Sequence, residues 1–509
     1  VLAFAIGLIA VPLVRRGAIA VGMVDKPDGH RKIHRNVVAV GGGVGVLATA
    51  LLALSIFALV SDTWGFRVNQ RMGELVGLAI GSAFLCAVGL VDDKRGLAGK
   101  KKLLGQIIAA SIIVGTGPLV EKISLFGFPI SLGLLASPFA VVWILACINA
   151  INLIDGMDGL ASSVGATIFA SLAIIGLWKG NTESAVIALA MTGALLAFLV
   201  YNFYPASIFL GDTGSMLIGL ISGTLLLRTT MLEGNVVPIL IPMAVLTIPF
   251  FDTLAAVIRR KFARRSIFET DRLHIHHCFR ETRPVRWSMS CIALLSLAAG
   301  LGAIASALSG FDGFALLSAG SVVAILAGTR SFGHTELYQL VKHGSEFFKG
   351  FVLPSVNENG RDFHIRLQGE ANWEELWDEL KAVAQRLGLA RVLLDVNLPK
   401  EHEGFYAEWK GRPTDENAWR ATVPLLDEGR PIGRLELAGD RRENADFQSW
   451  LGDVGELCQS VEARVAELAE EAHTVEPQPI LLQINDAASA PSPKAPSKLA
   501  GGPVLPTGS

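Results

Sequence analysis

Two asparagines and two aspartates, each pair three residues apart, close a long apolar run at residues 149–160. The stretch reads Asn149-Ala150-Ile151-Asn152-Leu153-Ile154-Asp155-Gly156-Met157-Asp158-Gly159-Leu160. At a helix end, a spacing of three puts each pair on one face. Carboxylate and amide oxygens together are ligands for a hard cation and contacts for a polar substrate. Glycines 156 and 159 let the backbone turn and approach a bound group closely. Acidic residues this close to hydrocarbon are costly to keep, which favours a functional reading. The ordinary alternative is a turn in which Asp and Gly close one helix and open the next.

Four other polar stretches carry chemistry of the same kind. Asp92 and Asp93 are adjacent carboxylates followed by Lys94 and Arg95. They repel one another, so a metal or a basic group nearby would help keep both ionised. Asp212 sits in Gly211-Asp212-Thr213-Gly214-Ser215, either as a cation ligand or as a helix N-cap; the two roles are compatible. Arg272, His274, His276 and His277 form a basic cluster with no Cys or acidic partner at a zinc spacing. Phosphate recognition suits them better than a metal. The first loop contributes Lys32 and His34 ahead of Gly41-Gly42-Gly43, a set that could cradle an anion. The triple glycine is equally a helix-packing surface. Carboxylates and an amide for a hard cation, joined by many cationic donors, are the equipment for phosphoryl or pyrophosphate chemistry with magnesium.

The elements that must position these groups are membrane helices. The chain has 509 residues, of which only 18% are charged, and a mean hydropathy of +0.47. That is too apolar for an ordinary soluble protein. The five cysteines are scattered, which argues against a disulfide framework or a structural zinc site. A spanning helix needs roughly 20 mostly apolar residues. On that rule eleven spans are expected, near 1–14, 39–60, 73–91, 104–120, 133–151, 160–178, 184–202, 214–229, 236–255, 287–307 and 313–330. The first begins at Val1 inside an apolar run with no cleavage pattern after it, so it is read as a clipped membrane helix rather than a signal peptide. The loops after spans 1, 3, 5, 7 and 9 share one side. They hold Arg15, Arg16, Lys26, Arg31, Lys32 and Arg35, then Lys94 to Lys102, then Arg259 to Arg265. Positive residues mark the cytoplasmic side. All five polar motifs fall in those loops, which one cytoplasmic active site would explain.

These motifs, in order and spacing over residues 1–330, resemble the polyprenyl-phosphate N-acetylhexosamine-1-phosphate transferases, glycosyltransferase family 4. The form Asp271-Arg272-Leu273-His274-Ile275-His276-His277 is similar to the WecA/TagO branch, because Ile275 interrupts the three consecutive histidines usual in the MraY branch. The resemblance implies a reaction in which undecaprenyl phosphate attacks the β-phosphorus of UDP-N-acetylglucosamine and UMP leaves. It also implies roles. Asn152 and Asp212 would bind Mg2+, with Mn2+ as a substitute. Asp92 or Asp93 would deprotonate or position the lipid phosphate, and Asp155 and Asp158 would help hold nucleotide and metal. Asn149, Lys32, His34, Arg272, His274, His276 and His277 would contact substrate. The phosphate acceptor is already ionised near neutral pH, so positioning and charge neutralisation should dominate a single displacement. The alternatives are the phospho-MurNAc-pentapeptide transferase of the same family and, in another class, a transporter. A transporter would gather its polar residues near mid-bilayer, often in related halves, whereas these collect at one surface.

The expected architecture is therefore an all-α polytopic membrane protein of about 11 transmembrane helices with a small C-terminal cytoplasmic α+β domain. Its setting would be the bacterial inner membrane, with the lipid bilayer and the two substrates as partners and no nucleic acid. A homodimer is compatible with the sequence but not specified by it. Residues 331–360 read as a connector. In 361–474, strands are expected at 364–367, 391–396, 421–426 and 432–437, and helices at 373–387 and 446–472. No catalytic constellation is visible there, and neither its role nor its partner is legible. Residues 475–509, rich in Pro, Ala and Ser, are expected to be disordered.

Overall fold

In the computed structural model the described residues are 1–25, 37–262, 274–329, 331–334, 337 and 362–474, less short loops at 369–371, 399–402, 412–417, 428–429 and 440–446. The expected tail and most of the connector lie outside them.

The N-terminal part is a helical bundle. It begins with α1 (Leu2–Ala20), the short pair β1 (Val24–Asp25) and β2 (Val38–Ala39), α2 (Gly42–Val60), α3 (Asp62–Gln70), α4 (Met72–Arg95) and α5 (Gly99–Thr116). A hairpin, β3 (Lys122–Leu125) and β4 (Phe128–Ser131), leads to α6 (Ala136–Ile154), α7 (Leu160–Trp178), α8 (Thr182–Asn202) and α9 (Gly211–Thr230). Then come β5 (Val236–Pro238), α10 (Leu240–Val245), α11 (Thr247–Phe262), α12 (Ile275–Thr282), α13 (Val285–Ser309) and α14 (Gly313–Gly328). Seven of these helices are long and apolar enough to cross a membrane: α1, α2, α4, α6 with the turn before it, α7, α8 and α13. The chain is thus a multi-pass membrane protein, and the figure of about eleven spans is not reached on this measure.

The shortfall has physical causes. Helix α9 packs against α2, α4, α6 and α7, and every residue from Thr213 to Leu227 is buried. Surrounded by protein rather than lipid, it tolerates Gly, Ser and Thr that lower its hydropathy. The span expected at 236–255 is instead a strand followed by two helices broken at Leu246. Pro249 has no N–H to give the carbonyl four residues back, which favours the break between α10 and α11. The hairpin and α3 were expected only as loop. Strand β3 pairs antiparallel with β4 and parallel with β5.

The C-terminal α+β domain holds a five-stranded antiparallel sheet. Its strands are β6 (Asp362–Gln368), β7 (Arg391–Leu398), β8 (Glu403–Lys410), β9 (Trp419–Asp427) and β10 (Arg430–Gly439), in the order β6-β8-β7-β10-β9. Helices α15 (Trp373–Leu387) and α16 (Phe447–Thr474) supply Trp373, Trp377, Leu380, Val461 and Leu468 to a core with Val392, Leu394, Phe405, Ala407 and Leu435. The expected strands and helices are all present. Strand β8 was not foreseen; Phe405 to Trp409 are all buried, with Phe405, Ala407 and Trp409 on the core face and Tyr406 and Glu408 on the other.

Candidate active site

Three helix ends meet at one end of the bundle: the C-termini of α4 and α6 and the N-terminus of α9. The side chains at that junction sort into a cation cluster, a helix cap and a cavity wall.

The cation cluster is centred on Lys102, in the first turn of α5. Its ammonium donates to Asp212 Oδ1 at 2.8 Å and to Asn152 Oδ1 at 3.3 Å, and pairs with Asp92 Oδ2 at 3.0 Å. Asn152 donates from Nδ2 to Asp212 Oδ1 and, at 2.8 Å, to the Ser215 hydroxyl. Asp92 also accepts from the Leu97 amide at 2.6 Å, which closes the turn after α4. Sequence reasoning counted Lys102 only as one of the positive charges that mark a membrane side. The signal it passed over was position: of the run Lys100–Lys102, only Lys102 is partly buried, one turn into the helix.

Asp93 does something different from its neighbour. One oxygen accepts from the Asp212 amide at 2.8 Å; the other accepts from the Thr213 amide at 3.2 Å and the Thr213 hydroxyl at 2.6 Å. It caps α9 from another helix, satisfying amides that have no partner within α9. Gly211, at φ +71°, makes room, since a Cβ there would lie 2.6 Å from the Asp93 carboxylate. The sequence put Asp92 and Asp93 in one role; the structure gives Asp92 to the cation and Asp93 to the helix.

A cavity of about 410 Å³ opens alongside, walled by residues 22–25, Val40, Asp93, Lys94, 155–158, Asn202 and 209–211. That is within the range of small-molecule sites. Asp155 and Asp158 both line it. Burial pushes the Asp155 carboxyl well above the usual range, and the charges of Asp212, Asp93 and Asp158 push it further; part of the residue still touches solvent. Asp158 accepts from the Ala206 amide at 2.9 Å and so ties down the segment between α8 and α9. Asn202 stiffens the same region, accepting from the Gly159 amide and the Ser162 hydroxyl and donating to the Ile208 carbonyl.

The histidine motif joins from the other side. The His276 imidazole lies against Gly156, where any Cβ would collide with the ring. It stacks parallel to His274, centroids 5.9 Å apart, and lies 4.2 Å from the His277 ring. His274 is held by a residue that the sequence reading missed. Asp252, fully buried on α11, contacts His274 Nδ1 at 3.0 Å and accepts from the Ile275 amide at 2.8 Å. One carboxylate thus sets the ring's orientation and caps α12. An acid inside the apolar run Ile248-Pro249-Phe250-Phe251-Asp252 was the available clue. Asn149 faces Gln106, donating to it at 3.0 Å and to Leu145 O at 2.8 Å; it does not line the cavity. Lys32, His34 and Arg272 lie outside the described residues.

Among the described residues, no three His, Cys, Asp or Glu side chains come close enough together to hold a metal. The oxygens around Lys102 nevertheless suit a hard cation: two carboxylates and an amide, already converging on a positive charge.

Comparison with known proteins identifies the family. Residues 75–230 match Glycosyl transferase family 4, a span that holds Asp92, Lys102, Asn152, Asp155 and Asp212. The chain is 34% identical over 286 residues to the Bacillus subtilis probable undecaprenyl-phosphate N-acetylglucosaminyl 1-phosphate transferase, covering 54% of this chain and 76% of that one. It is 33% identical to the decaprenyl-phosphate N-acetylglucosaminephosphotransferase of Mycolicibacterium smegmatis, over 54% of this chain and 71% of that one. A phospho-N-acetylmuramoyl-pentapeptide-transferase of Prochlorococcus marinus is 36% identical over a shorter stretch, 41% of this chain and 58% of that one. Given this similarity and the motifs gathered at one end of the bundle, the chain belongs to glycosyl transferase family 4, among the polyprenyl-phosphate N-acetylhexosamine-1-phosphate transferases.

Proposed function

We propose that this protein transfers N-acetylglucosamine 1-phosphate, or a related N-acetylhexosamine 1-phosphate, from its UDP-sugar to undecaprenyl phosphate at the cytoplasmic face of the inner membrane. A lipid phosphate oxygen forms a bond to the β-phosphorus, the bond from that phosphorus to the UMP oxygen breaks, and UMP leaves. The observation that carries the reading is the convergence of Asp92, Asn152 and Asp212 on one cation beside a cavity walled by Asp155 and Asp158. The names of the relatives favour the N-acetylglucosamine substrate over phospho-MurNAc-pentapeptide, whose transferase matches a smaller share of the chain.

Asn152, Asp212 and Asp92 are the residues that would hold Mg2+. When bound, magnesium would neutralise the diphosphate charge that builds as the phosphorus is attacked. Asp92 also orients the acceptor phosphate. Asp93 works at one remove, fixing the start of α9 and with it Asp212. The cavity takes the nucleotide, with Phe209 and the 155–158 backbone as its walls. The histidines, with His274 held by Asp252 and His276 resting on Gly156, contribute ring N–H groups toward phosphate or sugar. The acceptor needs no strong base, so catalysis consists of alignment and charge neutralisation.

The direct test gives purified protein UDP-N-acetylglucosamine, undecaprenyl phosphate and Mg2+, and measures UMP. Release that requires all three supports the proposal. Absence of UMP with every UDP-hexosamine tried, from a folded sample, would sink it.

A further inference from the structure

Lys102 stands where the proposed metal would stand. Its ammonium is 2.8 Å from Asp212 Oδ1, 3.0 Å from Asp92 Oδ2 and 3.3 Å from Asn152 Oδ1. The Asp92 side chain is 7% exposed and that of Lys102 18%. Partial burial makes the charge balance here consequential. Asp92 and Asp212 supply two negative charges. The ammonium alone leaves an excess of one, and a divalent ion alone leaves none. Both together would leave an uncompensated positive charge, with two cations crowded on the same oxygens. Magnesium binds oxygen at about 2.0–2.1 Å and tolerates little distortion, so the two cannot share this set. A lysine can yield, because its charge rides on a flexible four-carbon stem.

We propose that Lys102 is a displaceable internal cation. Its ammonium keeps Asp92, Asn152 and Asp212 converged while no divalent ion is bound. A divalent ion expels it from those oxygens, and the freed ammonium then serves as a donor to the substrate's phosphate oxygens. The inference rests on the divalent-ion-dependent phosphotransferase reading above. It gives one side chain two successive tasks, holding the ligand set together and then adding positive charge to the reacting diphosphate. It also makes metal affinity weaker than the oxygens alone would give. An ion that must displace an occupant has an apparent affinity reduced by the fraction of time the site is competent, so 1–10% competence means about a 10- to 100-fold loss.

The full-length protein in detergent, titrated with Mn2+ and followed by electron paramagnetic resonance, provides the test. Lys102→Met should bind Mn2+ at least about tenfold more tightly than wild type while turning over far more slowly, a split between affinity and rate. A second measurement uses wild type alone, should that variant fold poorly. Acylation of lysine amines, read by peptide mass spectrometry, should speed up several-fold at Lys102 when Mn2+ is added. Lys100 and Lys101, exposed on the same turn, are internal controls and should not change. In Asp212→Ala the Mn2+ effect on Lys102 labelling should vanish. Equal Mn2+ affinity with and without the Lys102 amine, or labelling that ignores Mn2+, overturns the displacement and leaves the metal reading standing. Absence of Mn2+ binding from wild type and Lys102→Met alike overturns the metal reading itself.

Discussion

Helices α4 and α9 run antiparallel and carry charged contacts at both ends, but the two ends are built to different rules. At the far end, Glu74 of α4 meets Arg228 of α9 at 3.7 Å, and Arg71 bridges Glu74 at 3.2 Å and Glu183 at 3.9 Å. Among the described residues the acids and bases in these contacts are matched, two of each, and Arg71 is half exposed. At the site end, Asp92 and Asp212 share the ammonium of Lys102, and Asp25, Asp93, Asp155 and Asp158 line the adjoining cavity with Lys94, so that among the described residues acids outnumber bases. A matched cluster at a helix end is an ordinary lock. An unmatched one stores repulsion, and a fold keeps such repulsion where a ligand will relieve it. The protein therefore has a structural end and a binding end on the same pair of helices, and substitutions can separate them.

The largest contrast should come from Asp212→Ala. It removes a ligand common to Lys102, Asn152 and the proposed metal, and UMP release should fall by about a thousandfold or more. The thermal unfolding midpoint should change little, because the excess negative charge is reduced at the same time. A turnover within tenfold of wild type would deny the site end its special status. Asp93→Ala comes next and is mixed in character. Its carboxylate accepts from two α9 amides and the Thr213 hydroxyl, so stability should fall by about 1–2 kcal/mol, as for a lost helix cap. Turnover should fall with it, because Asp212 sits on the turn that loses its anchor. Unfolding and UMP release measured on one preparation would show whether the two losses travel together.

How far the sequence could reveal this division depends on which interaction decides a residue's place. The motifs were legible because Asp, Asn and Gly at the ends of apolar runs are costly unless they do something. The C-terminal helix 373–387 was legible because its amphipathic period is strong. The parting of Asp92 from Asp93 was not, since adjacent residues on a helix point about 100° apart and only the position of α9 says which one faces it. Lys102 looked like a topological marker because Lys100 and Lys101 beside it are no more than that. Asp252 was hidden in a span whose apolar residues set the expectation, and its partner lies 22 positions on. The depressed hydropathy of α9 reflects burial among helices, which no window along one segment can register.

Asp155→Asn sharpens the comparison through pH. The folded protein holds the Asp155 carboxyl above its ordinary range, chiefly by burial and then through Asp212, Asp93 and Asp158. The native state therefore binds a proton more readily than the unfolded chain does. The stability it contributes is present in full below the unfolded pKa and is lost as pH rises through the higher folded value. In chelator, Asp155→Asn should unfold at a higher temperature than wild type at pH 8, with the gap shrinking toward pH 5. Turnover should drop at both. A gap that widened on acidification would mean that Asp155 is stabilised as its anion, and the site end would then not be a reservoir of repulsion.

The smallest effect on turnover, and the sharpest control, is expected at the far end. Arg228→Met keeps the length of the side chain and removes the charge that faces Glu74. The pair is only partly shielded, with side chains 11% and 24% exposed, so its loss should cost about 1–2 kcal/mol of stability. Turnover per folded molecule should stay within about threefold of wild type, since Arg228 and Asp212 lie near opposite ends of the 20-residue helix α9 and the contacts at the α9 N-terminus are untouched. Exchanging the charges, with Glu74→Arg and Arg228→Glu together, should recover part of the stability, because the attraction is restored while Arg71 then faces a like charge. A lock behaves in this way and a ligand site does not. Were Arg228→Met to lower turnover as severely as Asp212→Ala, with the protein still folded, the two ends would be one coupled device and the distinction drawn from their charge balance would fail.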